Sequence, residues 1–489
     1  MTATEVGLSR RQKVGLLLGP ILFVLLLLLP TPAGMSDAGM AVAAVTLLMA
    51  VFWISEAIPI PATALFPIAL FPLLGVMPTA KVTLSYGNHL IFLFMGGFLI
   101  AMAIERWQLH KRIALHTVNL VGVTPNRVIL GFMIATAFLS CWISNTATAM
   151  LMVTIGMAVL HQLAGSEDGR ELAQTNFGTA LMLGIAYAAS IGGVASLIGT
   201  PPNAILAGVV EKQYGYTIGF AEWMLFATPL SVVMLALTWF YLTRIAFHND
   251  VAELPGGRAV IRQQLAALGP MSRQERRVLV VFLLVVAAWL FRGLLPFAAL
   301  KEVTDSAVAI LGALLLFVIP ADLKKGEFLL DWKTAVNIPW DIILLFGGGF
   351  ALAAGFSASG LTEWMGSQLS LLAGANLVVL IAVVVVMVIF LTEVTSNTAT
   401  ASLLLPVMAG FAMATDVPVL SLMAAVALAA SFAFMLPVAT PPNAIVFSSR
   451  QVTIPQMARA GIWLNIVGTV LITLVVTQFL PLVLQLPAK

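Results

Sequence analysis

Long apolar runs separated by short polar stretches fill the chain from residue 14 to residue 484. Eleven of them, near 14–30, 38–57, 62–77, 86–104, 173–209, 219–247, 277–297, 304–320, 338–370, 417–449 and 456–484, suit helices crossing a hydrocarbon core of ~30 Å. A β-barrel would instead show short segments of alternating polarity, so the pattern predicts an all-α polytopic membrane protein. The first run follows Arg10, Arg11 and Lys13 in the manner of a leader peptide. The nearest small-residue cleavage motif falls inside the next run, so an uncleaved first span is expected.

Two further stretches, 127–161 and 374–413, are too long for one crossing, and each has a polar break at its middle: Ser144-Asn145-Thr146 and Ser396-Asn397-Thr398. A continuous helix of that length would reach ~50 Å, so each is expected to turn back as a re-entrant hairpin. Such a hairpin is tolerated at membrane depth only where its tip is buried in protein or faces a wet cavity.

Composition agrees with this pattern. Charged residues make up 9% of the chain and apolar ones 61%, with a mean hydropathy of +1.04. A soluble domain is about 25% charged, which excludes a cytosolic enzyme. The net charge of +3 forms no nucleic-acid patch, because the basic residues follow membrane sidedness. With both flanks of the first hairpin inside and both flanks of the second outside, 19 of 24 Lys and Arg fall on one face. By the positive-inside rule this puts the N-terminus in the cytoplasm and the C-terminus outside. The single cysteine, Cys141, excludes an intrachain disulfide.

The chain also repeats itself. Phe94-Met95-Gly96-Gly97-Phe98 matches Phe346-Gly347-Gly348-Gly349-Phe350 at an offset of 252, and residues 144–148 match 396–400 at the same offset. Thr200-Pro201-Pro202-Asn203-Ala204-Ile205 matches Thr440-Pro441-Pro442-Asn443-Ala444-Ile445 at an offset of 240. An odd number of expected crossings separates the two copies, so the second should be inverted. Inverted repeats with paired broken helices are the architecture of secondary transporters, with the site between the copies. The boundaries expected are scaffold helices at 1–85, a first repeat at 86–247 with an inner hairpin at 127–161 and a broken helix at 173–209, and a cytoplasmic loop at 248–276. Second-repeat scaffold helices at 277–337 follow, then the second repeat at 338–489, with an outer hairpin at 374–413, a broken helix at 417–449 and a last helix.

Consecutive prolines remove two backbone donors and force the helix to unwind, freeing the carbonyls of Gly199 and Ala439. Facing Ser and Asn oxygens at the tips, these are the hard neutral ligands that an alkali cation accepts. Each hairpin's second half-helix begins at its tip, where free amides and the positive dipole end can receive an anion. A lone Ser-Asn-Thr is usually a helix cap or packing patch. Two at related tips, each with a Pro-Pro break, point to a site. No Gly-Lys occurs, so there is no Walker A loop, and the five histidines lack HExxH spacing. Gly347, Gly348 and Gly349 suit close helix packing. Glu56 and Asp341, near span ends, suit interfacial or capping roles, and Glu393 stays open as a proton site.

The paired tips, Gly199-Thr200-Pro201-Pro202-Asn203 and the run 430–446 (Ala430-Ser431-Phe432-Ala433-Phe434-Met435-Leu436-Pro437-Val438-Ala439-Thr440-Pro441-Pro442-Asn443-Ala444-Ile445-Val446) resemble the divalent anion/sodium symporter family over nearly the whole chain. The resemblance implies eleven transmembrane helices plus two re-entrant hairpins, in a lipid-embedded homodimer whose scaffold domains hold moving, elevator-type transport domains. It implies one sodium site at Ser140, Ser144, Asn145 and Gly199 and another at Thr392, Thr395, Asn397 and Ala439. Substrate carboxylates would be held by Ser144, Asn145, Thr146, Ser396, Asn397 and Thr398, together with Thr200, Pro201, Thr440 and Pro441. Exchanger members are expected to carry fixed cations in place of sodium, and the sequence sets no Lys, Arg or His beside either tip, which favours Na+ coupling. Ala149 stands where many members have a second Thr.

The function expected is therefore that of a sodium-coupled C4-dicarboxylate importer (succinate, malate, fumarate) of a bacterial inner membrane, not an enzyme. A sodium- or proton-coupled citrate or sulfate carrier and an anion channel on the same fold are the alternatives. An intramembrane hydrolase would need a Ser, His and Asp constellation that the sequence does not display.

Overall fold

The structure, a computed structural model, describes residues 8–122, 124–164, 175–248, 257–292, 303–368, 376–415 and 417–484. Its helices up to the middle of the chain include α1 (Arg10–Leu28), α2 (Asp37–Ser55), α3 (His89–Arg106), α4 (Pro125–Ser140), α5 (Asn145–Ala164), α6 (Asn176–Val194), α7 (Pro201–Tyr214) and α8 (Phe220–Tyr241). They continue with α9 (Arg273–Phe291), α10 (Asp305–Val318), α11 (Trp340–Ser359), α12 (Leu377–Thr392), α13 (Asn397–Thr415), α14 (Val419–Ala429), α15 (Pro441–Ser448) and α16 (Ile454–Leu474). Among the described residues, seven helical segments are long and apolar enough to cross a membrane unaided.

Local sequence sets where these helices start. Ser36, Thr175 and Ser272 each accept a backbone N–H of the first turn of α2, α6 and α9, and Ser272 is part of a full capping box with Glu275. Proline sets others: the segment expected to cross at 62–77 is divided into Ile60–Thr63 and Phe66–Leu73, with prolines at 59, 61, 67 and 72. The stretch 248–276, read from sequence as a loop, contains a helix at Gly257–Ala267.

Burial separates peripheral helices from the core. Only Gly15 and Gly19 of α1 are buried, because a Cβ on either would strike Ser55 or Phe52 of α2. Close approach through small residues is the usual packing device where lipid removes the hydrophobic drive. By contrast, α6 is buried from Phe177 to Val194. It serves as a post against which both α4 and α5 pack, and α14 does the same for α12 and α13.

The repeats interlock reciprocally. α15 of the second copy packs on α5 and α6 of the first, while its counterpart α7 packs on α13 and α14 of the second. Exchange of this kind, in which element i meets j′ and j meets i′, is what a local two-fold axis produces. Phe94 and Phe346, equivalent at the 252 offset, meet edge to face with centroids 4.8 Å apart, as two copies of one position do beside such an axis.

Candidate cation and anion binding site

Helix α4 has 16 residues, about 24 Å of rise, and stops at Ser140; α5 begins at Asn145 after the break at 141–144. α12 stops at Thr392, and α13 begins at Asn397. The Pro-Pro pairs interrupt the two posts in the same manner: α6 ends at Val194 and α7 starts at Pro201, while α14 ends at Ala429 and α15 starts at Pro441. Proline at the first helical position wastes no donor, since those amides have no intrahelical acceptor.

Four helix N-termini, at Asn145, Pro201, Asn397 and Pro441, therefore line a single cavity of about 620 Å³. Both tips are present in its wall through Ser144, Asn145, Thr146, Ser396, Asn397 and Thr398, and so are Gly199, Thr200, Pro201, Thr395, Ala439, Thr440 and Pro441. Ser140 and Thr392 are fully buried behind the wall. Positive dipole ends and hydroxyls around the cavity favour an anion.

At the first tip, the Ser140 hydroxyl donates to the Ala189 carbonyl at 2.7 Å and lies against the Asn145 side-chain amide. The same end of the Asn145 amide stands 3.1 Å from the Ala189 carbonyl and 3.2 Å from that of Gly199. With nitrogen at that end, the amide donates to both carbonyls. With oxygen there, four oxygens face one another, and a cation among them would relieve their repulsion. The second tip has the corresponding hydroxyl, amide and carbonyl: Thr392 Oγ1 stands 2.7 Å from Asn397 Oδ1 and 3.1 Å from the Ala430 carbonyl, and its one proton serves either. The fit to an alkali ion thus rests on a hydroxyl, an Asn oxygen and backbone carbonyls at each tip. No group of three His, Cys, Asp or Glu that could hold a metal occurs among the described residues.

Sequence reasoning missed several members of this site. Ala189 and Ala430 contribute only carbonyls, which no side-chain motif announces. Asn203 donates to the carbonyls of Val194 and Ser196 at 3.1 and 2.8 Å, and Asn443 to those of Ala433 and Leu436 at 3.1 and 3.0 Å. These two buried asparagines cap the unwound segments, so the Asn of each Thr-Pro-Pro-Asn acts on backbone. Thr395, assigned to the second cation site, turns its hydroxyl to the Leu391 carbonyl and to Thr400, at 2.8 and 2.7 Å. Arg11, Glu56 and Asp341 also line the cavity. A basic side chain thus shares the chamber with the tips, which the sequence alone did not place there, and the two acids are cavity residues as well as helix-end residues.

Glu393 is a hub. Its carboxylate accepts from Phe434, Met435 and Leu436 N–H at 2.8, 2.9 and 3.1 Å and from the Asn465 amide at 2.7 Å. It ties the second tip to the unwound segment and to α16. At the equivalent position of the first repeat stands Cys141, whose thiol donates to the carbonyls of Ala137 and Gly192, each at 3.2 Å.

Two interlocked helical repeats enclosing a polar chamber at the breaks of four helices define the class: a polytopic membrane transporter fold. Solved structures share it. The chain superposes on Neisseria gonorrhoeae MtrF, described among antimetabolite efflux pumps, with a TM-score of 0.57 at 11% identity over 94% of each chain. It superposes on the Alcanivorax borkumensis YdaH transporter with a TM-score of 0.52 at 13% identity, over 81% of this chain and 86% of that one. The chain belongs to the family described as the sodium:sulfate symporter transmembrane region, which matches residues 11–486. It is 47% identical over 478 residues to a sodium-dependent dicarboxylate transporter, SdcS, of Staphylococcus saprophyticus, covering 97% of this chain and 92% of that protein. It is 45% identical over 482 residues to the protein of the same name from Staphylococcus aureus, with the same coverage.

Proposed function

We propose that this protein imports C4-dicarboxylates across a bacterial inner membrane by sodium symport. Eleven crossings and two re-entrant hairpins form a scaffold and a transport domain, the protein works as a homodimer, and the site moves across the membrane elevator-fashion. The N-terminus is cytoplasmic and the C-terminus external. The observation that supports this best is the pairing, at each tip, of an Asn amide with a hydroxyl and a carbonyl on one side and the cavity on the other. Sodium-dependent dicarboxylate transport in relatives at 45–47% identity supports the same reading.

Ser140, Ser144, Asn145 and Gly199 would hold one Na+, with the Ala189 carbonyl beside them. Thr392, Asn397 and Ala439 would hold a second, with the Ala430 carbonyl beside them and Thr395 at its edge. A dianion entering a site of neutral dipoles carries a large desolvation cost, and two adjacent cations offset it. Substrate and ion binding are thereby linked, which is what coupling requires. Ser144, Asn145 and Thr146 would take one carboxylate and Ser396, Asn397 and Thr398 the other. Thr200, Pro201, Thr440 and Pro441 shape the floor between them. Two carboxylate receivers suit a dicarboxylate better than a single compact oxyanion.

Uptake of labelled succinate into proteoliposomes, with and without a sodium gradient, tests the reading, with malate, citrate and sulfate as competitors. Uptake that requires sodium and yields to malate is expected. Equal uptake on a proton gradient in sodium-free medium refutes the coupling. Competition by sulfate alone refutes the substrate class, and flux far above carrier rates would indicate a channel.

A further inference from the structure

The cavity reaches beyond the tips to the start of α1 and the end of α2. Among the described residues that line it, Arg11 is the single cation, and Glu56 and Asp341 are the acids. The Arg11 guanidinium donates to the Ile54 carbonyl and stands 3.8 Å from the Glu56 carboxylate, with both side chains about half exposed. One bond to Ile54 leaves most of the five guanidinium donors available. An exposed pair at this separation is worth little, so an incoming carboxylate can replace Glu56 at small cost.

Glu56 is also held in an unusual backbone conformation. It caps α2 in the left-handed region, at φ 50°, where glycine is the ordinary residue. Its carbonyl is tied by the Gln12 side chain at 3.1 Å. A glutamate kept in a position that favours glycine directs attention to its side chain, which faces Arg11 in the chamber wall.

We propose that Arg11 is a way-station for the carboxylates of the substrate at the mouth of the cavity, and that Glu56 holds it ready by occupying it exchangeably. This rests on the reading of the protein as a dicarboxylate carrier. A substrate leaving the tips exchanges onto Arg11 before reaching bulk water, and one entering from that face is drawn in by it. Glu56 competes with the substrate for the guanidinium and so limits how strongly the mouth retains it. The arrangement acts on passage from the Arg11 face alone, because the tips set binding from the other.

The two partners must therefore respond in opposite directions. In membrane vesicles of each orientation, with saturating sodium, Arg11→Gln should raise KM for succinate offered from the Arg11 face by about fivefold, the size of one exposed charge interaction. KM from the opposite face and the sodium half-saturation should stay as in the wild type, and Arg11→Lys should restore most of the loss. Glu56→Gln should lower KM from the Arg11 face two- to threefold. Added potassium chloride should erase both effects as screening sets in. If the pair merely fastens α1 to α2, both substitutions will impair transport alike from both faces and lower the unfolding temperature together, which overturns the proposal. An unchanged KM from the Arg11 face in Arg11→Gln also overturns it. The remedial variant Glu56→Gly, which removes the backbone strain, keeps the test open if Glu56→Gln folds poorly: it should keep thermal stability and still lower KM. Absence of any sodium-driven succinate transport by the wild type would instead refute the functional reading itself.

Discussion

Replacing Glu393 by Gln separates a structural acceptor from a proton carrier. Three donors meet Oε1 (Phe434 N–H, Met435 N–H and the Asn465 amide), and one, Leu436 N–H, meets Oε2. A Gln that sets its oxygen at the Oε1 position keeps the three and turns its NH2 against Leu436 N–H. One orphaned buried donor costs about 1–3 kcal/mol. The three retained bonds fall from charged to neutral strength, which adds about 1 kcal/mol or more in total. Glu393→Gln should therefore lose roughly 3 kcal/mol of stability and Asn465→Ala, which deletes a single donor, about 1–2 kcal/mol. Unfolding of the detergent-solubilised protein, followed through its ten tryptophans, measures this. Succinate uptake by Glu393→Gln should fall while its sodium dependence and its pH profile keep their wild-type shape. A variant that unfolds at the wild-type temperature but loses a proton-driven component of transport would refute the hub and make Glu393 a proton site.

Asn145→Ala and Asn397→Ala should each abolish transport, since each side chain would serve both ion and substrate, whereas Thr146→Ala or Thr398→Ala should mainly raise KM. Retention of wild-type rate and sodium dependence in either Asn variant, measured by sodium titration of uptake, would remove that dual role. Gly193→Ala drives a methyl into the Asn145 side-chain amide, so it should raise the sodium half-saturation about tenfold, and an unchanged titration would show that Asn145 does not form the ion site. Cysteines introduced at 165 and 374 in a Cys141→Ala background flank the two hairpins and lie outside the described residues. An impermeant thiol reagent on intact cells should label the one at 374 and spare the one at 165, and labelling of both would exclude the inverted topology.

The sequence by itself determined that the chain is helical and membrane-embedded, where its repeats lie, and which polar motifs break its helices. These properties are local: a run of apolar residues, two adjacent prolines or a Ser-Asn-Thr in hydrocarbon each has a consequence that does not depend on distant neighbours. Tertiary structure decided what those motifs face. Ala189 and Ala430 join the tips through carbonyls, which every residue possesses, so nothing in their side chains could single them out. Glu393 stands alone in the sequence as an acid before the second tip, and only the fold brings three amides from 434–436 and Asn465 around it. Arg11 stands more than 130 positions before the first tip and still lines the same cavity. Asn203 and Asn443 bond to backbone, because unwinding at Pro-Pro leaves carbonyls that must find donors in a medium that offers none.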